Sequence, residues 1–156
     1  MKQTAVFAFA PMLVALVGVA LAGPPAPSVE DEPTPIGIWA TADAKSHVQI
    51  KDCDGKLCGT IVWLQEPLDK DGKDALDSKN PEPGLRTRKI LGLVLLSGLE
   101  EDEVVPNVWR EGEIYSPDNG KTYSCQLTVE NSKTLLVRGY IGLSIIGVTE
   151  TWTRIE

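Results

Sequence analysis

Histidine occurs once in the 156 residues, at His47, and cysteine three times, at Cys53, Cys58 and Cys125. A single imidazole excludes zinc sites built from several His, and it leaves any Ser–His–Asp triad dependent on that one ring. No G-x-S-x-G elbow supports a serine nucleophile. Basic residues are scarce as well: 15 Lys and Arg face 22 Asp and Glu, a formal charge of −7. That balance disfavours nucleic acid and anionic membrane surfaces, because both need basic patches. Both Phe (Phe7, Phe9) and both Met (Met1, Met12) fall near the N-terminus, so beyond it the only aromatics are four Trp and three Tyr. No stretch beyond residue 22 sustains apolar positions at helical spacing. Residues 68–79 have room for a single helical turn.

The chain has one long uncharged run, residues 5–22, preceded by Lys2 and ending in Ala20-Leu21-Ala22. Small residues at both positions of an A-x-A site make this a secretory signal peptide, cleaved after Ala22. The rival is an uncleaved anchor, since the run approaches a spanning length. Pro11 and the cleavage site argue against it, and no stable membrane insertion is expected once the signal is gone. No Cys follows the site, which excludes a bacterial lipid anchor. The protein is therefore expected in the periplasm or outside the cell. Residues 23–35 are Pro-rich and aperiodic, an extended linker. Residues 36–156 are left as a single domain, too short for two.

That domain reads as strands separated by turns. Strand signals cover 37–41, 46–51, 57–64, 89–97, 107–115, 121–129, 134–141 and 145–154. Lys121 to Val129 alternates strictly, with Tyr123, Cys125, Leu127 and Val129 on one face. Asp54-Gly55 and Ser116 to Gly120 are strong turns. Residues 66–88 form a polar loop unusually long for a compact domain. Eight antiparallel strands in this length predict an all-β fold, a small closed barrel or a sandwich. A closed barrel removes sheet edges, and with eight strands its interior holds side chains or one small ligand.

Four constellations bear on chemistry. Cys53 and Cys58 flank the Asp54-Gly55 turn. A four-residue hairpin loop would set them face to face as a structural disulfide. Redox pairs favour two intervening residues, and zinc needs further ligands. Cys125 lies on an apolar strand face and reads as a packing residue, with a Cys–His47 catalytic pair as the alternative. Asp69, Asp71, Asp74 and Asp77 give the long loop the oxygen density of a calcium site. They lack EF-hand spacing, and Lys70, Lys73 and Lys79 interleave, so a solvated charged loop with no metal is expected. Arg138, Tyr140, Glu150, Trp152 and Arg154 share parity on the last two strands. A three-residue loop over 143–145 would place Arg138 opposite Glu150. These groups would orient a ligand's polar end, form a structural ion pair, or face solvent.

Gly37-Ile38-Trp39 at the start of the first strand and Arg154 at the end of the last resemble the G-x-W and C-terminal Arg pattern of lipocalins and the wider calycin group. The resemblance implies that Arg154 stacks on Trp39 to close the barrel base. A longer series appears in order. It comprises Trp39, Cys53 to Gly59, Asp77-x-x-Asn80-Pro81, Arg86, Arg88, Gly92, Trp109-x-x-Gly112-x-Ile114-Tyr115, Gly120 to Tyr123, Arg138-Gly139-Tyr140 and Thr151-Trp152-x-Arg154. It resembles the bacterial exported family known as domain of unknown function 2147 over residues 36–156. That resemblance implies a lipocalin-like barrel and no reaction, cofactor or catalytic residue.

The expected function is binding of a small apolar or amphipathic molecule inside the barrel, with Arg138, Tyr140, Glu150 and Trp152 as candidate ligand contacts. Two alternatives stand beside it. One is a structural or interaction module whose barrel is filled by its own side chains. The other is a hydrolase using Asp77 and Glu150 with Arg86 or Arg138. An open cavity discriminates against the first, and convergence of those carboxylates in one cleft would favour the second. The apolar run also generates a direct test. N-terminal sequencing of the exported protein is expected to begin at Gly23, and an intact Met1 in the membrane fraction would refute cleavage.

Overall fold

The computed structural model describes residues 33–156. The expected signal peptide (1–22) and all but the last three residues of the expected linker (23–35) lie outside the described residues.

Eight antiparallel strands close into a barrel in sequence order: β1 (Gly37–Ala40), β2 (Ser46–Cys53), β3 (Lys56–Leu64), β4 (Val94–Glu101), β5 (Val108–Ser116), β6 (Lys121–Asn131), β7 (Thr134–Tyr140) and β8 (Gly147–Arg154), with β8 returning to β1. The alternation visible in the sequence sets the inner face. Val48 and Ile50 of β2 and Cys125, Leu127 and Val129 of β6 are buried, while their neighbours in sequence turn outward. Two tryptophans, Trp39 and Trp152, are the largest fully buried side chains, in a core without Phe or Met.

Hairpin connectivity sorts the loops to two ends. The tight β2–β3 and β6–β7 turns, the β4–β5 loop 102–107 and both ends of the described chain lie at the base. Loops 41–45, 65–93, 117–120 and 141–146 surround the opposite end, the mouth.

Three local expectations are corrected. The fourth strand begins at Val94, not Lys89. Residues 90–93 instead bond to β3 as a loop, through Gly92 N–H to the Ile61 carbonyl (2.8 Å) and Ile61 N–H to the Leu93 carbonyl (2.9 Å). The β2–β3 turn is two residues, with Asp54 (φ 59°) and Gly55 (φ 85°) both left-handed and Cys53 opposite Lys56. Cys58 pairs with Lys51, so the Cys53–Cys58 disulfide joins diagonal rather than facing positions, with Cα atoms 5.9 Å apart. The β7–β8 loop has six residues, not three, and Arg138 faces Thr149 while Val137 faces Glu150. Paired numbers on these strands differ in parity. Arg138 and Tyr140 therefore stand on the opposite face from Glu150 and Trp152.

The base is closed by Arg154. Its guanidinium carbon lies 4.2 Å from the centroid of the Trp39 ring. Its nitrogens donate to the carbonyls of Ser132 (2.6 Å), Ile36 (2.9 Å), Glu156 (3.3 Å) and Thr34. Trp39 is fully buried, and its indole N–H donates to the Pro35 carbonyl at 2.8 Å. Gly37 makes this approach possible, since a Cβ there would overlap Nη1 of Arg154. The sequence spacing G-x-W thus has a steric reason at its first position and a stacking reason at its last.

Removing Arg154 takes away a stack worth about 0.5–2 kcal/mol and leaves carbonyls without donors. Arg154→Ala is expected to destabilise the barrel by at least about 2 kcal/mol in urea unfolding. Arg154→Lys should recover less than half of that, because an ammonium neither stacks nor forks. Shifts below about 0.5 kcal/mol for both variants would show that Arg154 is an ordinary surface residue.

Candidate functional site

The inward positions near the mouth do not fill the barrel. A cavity of about 760 Å³ opens there. Ile61 from β3, Leu95 from β4, Ile114 from β5, Val137 from β7 and Trp152 from β8 form its apolar wall. Tyr115 and Tyr123 add aromatic surface. Loop residues Asp43, Lys45, Glu66 and Asp118 stand round the rim, and Glu150 projects from β8 between the rim and the wall. The Trp152 indole N–H donates to Oε2 of Glu150 at 3.2 Å, orienting the carboxylate from below.

Of the four sequence-derived ligand candidates, Glu150 and Trp152 line this cavity, whereas Arg138 and Tyr140 do not. Arg138 holds the β7–β8 loop instead. Its Nε donates to the Ser144 carbonyl (2.7 Å), Nη2 to the Ile145 carbonyl (3.1 Å) and Nη1 to the Thr149 hydroxyl (2.6 Å). The loop held in this way presents Ile141, Leu143, Ile145 and Ile146 to solvent, each at least 70% exposed. Val148 continues that apolar surface into the cavity.

The long loop is organised by a buried carboxylate that the sequence reading placed in a solvated segment. Asp77 is completely buried. Its Oδ1 accepts from the Tyr115 hydroxyl (2.6 Å), and its Oδ2 accepts from Arg88 Nε (2.8 Å) and Asn80 Nδ2 (2.8 Å). Arg88 also lies over the Tyr115 ring, 5.2 Å from its centroid. Arg86 donates to the Asn80 carbonyl at 2.7 Å. Beside this cluster Gly120 takes φ 71° and packs on the Lys79 carbonyl, which a Cβ would overlap, so the β5–β6 turn and the long loop are locked together. Asp77 and Asn80 share one motif in the sequence, whereas Arg88 and Tyr115 stand apart from it. The Asp77-x-x-Asn80 spacing with Arg86 and Arg88 in an overlong loop was the available signal, because such a loop is ordered only if something pins it.

Burial alone would raise the Asp77 carboxyl. The hydrogen bonds from Tyr115, Asn80 and Arg88, with the Arg88 charge, outweigh it and hold the group below its ordinary 3.8. Burial and the Asp77 hydrogen bond push the Tyr115 hydroxyl upward, so it remains a donor. A fully buried carboxylate with three donors is a poor proton acceptor, and Asp77 does not line the cavity that holds Glu150. Two of the other loop aspartates are engaged separately. Asp69 accepts from the backbone N–H of Asp71 and Lys73, and Asp74 pairs with Lys89 at 2.8 Å. Cys125 is fully buried, and burial pushes its thiol up to about 12, far from a nucleophile's range. His47 stacks on Trp63 with ring centroids 4.3 Å apart, and neither His47 nor Cys125 lines the cavity.

The protein-family model described as "Uncharacterized protein conserved in bacteria (DUF2147)" matches residues 37–154. Among solved structures, the chain is similar to one described as "Protein HP1028 from the human pathogen Helicobacter pylori belongs to the lipocalin family". The two share 30% sequence identity with a TM-score of 0.64, over 78% of this chain and 82% of the other. No curated protein matches the chain.

Replacing Asp77 by Ala would strand the Asn80, Tyr115 and Arg88 donors. A loss of about 3 kcal/mol or more is expected in urea unfolding at neutral pH. The sign of the pH dependence follows from the depressed carboxyl. The stabilisation is complete above the unfolded carboxyl's value, near 4, and disappears as pH falls through the lower folded value. Asp77→Asn should therefore be less stable than the parent at pH 7 and converge toward it under strong acid. A constant difference across that range would show that the Asp77 charge contributes nothing.

Proposed function

The chain belongs to this conserved bacterial family, DUF2147, with a lipocalin-like barrel, and from that premise we propose that it is an exported binding protein that holds one small apolar or amphipathic molecule in the mouth of the barrel. The cavity carries this reading. At about 760 Å³ it falls within the roughly 300–1,000 Å³ of small-molecule sites, and it combines an apolar wall with a few polar groups. A module filled by its own side chains would leave no such space. The hydrolase alternative needs Asp77 and Glu150 to converge, and they stand in different surroundings. The exposed aliphatic loop 141–146 and Val148 supply a continuous apolar path for an apolar ligand from solvent to wall. The Cys53–Cys58 disulfide is consistent with export to an oxidising compartment. Among the described residues no helix is long and apolar enough to cross a membrane.

The test uses a neutral reporter, N-phenyl-1-naphthylamine, whose fluorescence rises in apolar surroundings. It is expected to bind with one site per chain, and Val137→Trp, which projects bulk from the wall, should abolish binding while unfolding remains cooperative. Native mass spectrometry of protein purified from its own exported fraction should retain a small molecule. Absence of dye binding by the folded parent would refute the reading.

A further inference from the structure

We propose that the cavity selects cationic amphiphiles, molecules with an apolar body and an ammonium or quaternary ammonium head, and that Glu150 is the residue that receives the head. This rests on the ligand-binding reading above and specifies its ligand class.

The charges that face the cavity are unequal. Asp43, Glu66, Asp118 and Glu150 are acidic, and Lys45 is the only basic residue among the lining groups. Lys45 is already paired with Asp43, at 3.6 Å. Nearby, Lys79 donates to the Asp118 backbone carbonyl at 2.6 Å and does not line the cavity. The Arg residues closest in sequence to the wall are directed elsewhere: Arg88 to Asp77, and Arg138 to the carbonyls of its own loop. Glu150 therefore has no cationic partner among the described residues, and its one side-chain donor is the neutral Trp152 indole.

Aromatic surface provides a second and independent indication. Tyr115 and Tyr123, both partly exposed, line the same cavity; Arg88 covers one face of the Tyr115 ring, and Trp152, 1% exposed, contributes its N–H to Glu150 rather than an open ring face. An aromatic ring presents a negative face, which attracts alkylated ammonium groups and does nothing for a carboxylate. An unpaired carboxylate with phenol rings on the neighbouring wall is the chemistry that recognises a soft cation. A fatty acid would meet the opposite arrangement, since its headgroup would lie against Glu150 and the one lining cation, Lys45, is already paired with Asp43. The apolar wall of Ile61, Leu95, Ile114 and Val137 then accommodates the ligand's hydrocarbon part, and the head remains near the rim where hydration persists.

Three single-chain probes of equal length separate this inference from its premise: decyltrimethylammonium, decanoate and decanol. Each is titrated below its aggregation concentration against bound N-phenyl-1-naphthylamine. Displacement by decanol reports the apolar cavity alone. The cation is expected to bind on the order of tenfold more tightly than the anion at low salt, attraction to one partly solvated carboxylate replacing repulsion by it. Glu150→Gln should bring the two to within about twofold while leaving decanol unchanged, and Glu150→Lys should invert the order. Equal binding of cation and anion to the parent, or a cation preference that survives Glu150→Gln, overturns the assignment while leaving the ligand-binding reading intact. Failure of all three probes to displace the dye from the folded parent overturns both.

Discussion

The seam between β1 and β8 depends on Arg154. Those strands share only two register pairs, Trp39 with Arg154 and Ala40 with Thr153, whereas the other neighbours run longer ladders. A short ladder is a weak place to close a sheet. Arg154 reinforces it by joining Thr34, Ile36, Ser132 and Glu156 through one planar group that also covers the Trp39 ring. A guanidinium suits this position because its donors are fixed in a plane and its face can stack. Once the base is sealed, the barrel can be hollow at the other end without presenting an open edge.

The hollow end needs order of a different kind. Loop 65–93 would be a poor wall if it were mobile, and Asp77 gives it a rigid anchor on Tyr115 of β5. The barrel is therefore held at both ends by charged groups with opposite surroundings. At the base a cation sits partly open to solvent over an indole. Near the mouth an anion is wholly buried among donors. Between them lies the apolar core, and above it the cavity with Glu150. The Asp77 cluster pins the loop, and Glu150 is left outside that network.

The strands were legible because their period is local. Val48 and Ile50 on β2 and the alternation of β6 need no knowledge of partners, and Asp54-Gly55 announces its own turn. The Trp39–Arg154 contact spans the domain and was readable only through resemblance to lipocalins. Register was not legible where a loop length decides it. A six-residue β7–β8 loop in place of three turned Arg138 and Tyr140 to the other face while leaving Glu150 and Trp152 inside. The Asp77 cluster escaped for a similar reason: Tyr115 lies 38 residues away, and the Asp77-x-x-Asn80 spacing alone does not say that its carboxylate is buried. The cavity itself is a property of what the wall side chains fail to fill, which no single segment encodes.

The two ends of the described chain are neighbours at the base. Ile38 N–H donates to the Glu156 carbonyl (2.8 Å), and Ile155 N–H donates to the Ile38 carbonyl (2.7 Å). A barrel with an even number of hairpin-linked strands begins and finishes at the same end, here the one opposite the mouth. The ring of strands is thus close to a covalent circle. A short peptide joining the ends, with a new break in one of the tight turns at the base, yields a permuted chain with the same mouth. By the same geometry, a fluorophore, affinity handle or solid support attached at either end hangs from the floor and leaves the mouth free to fill.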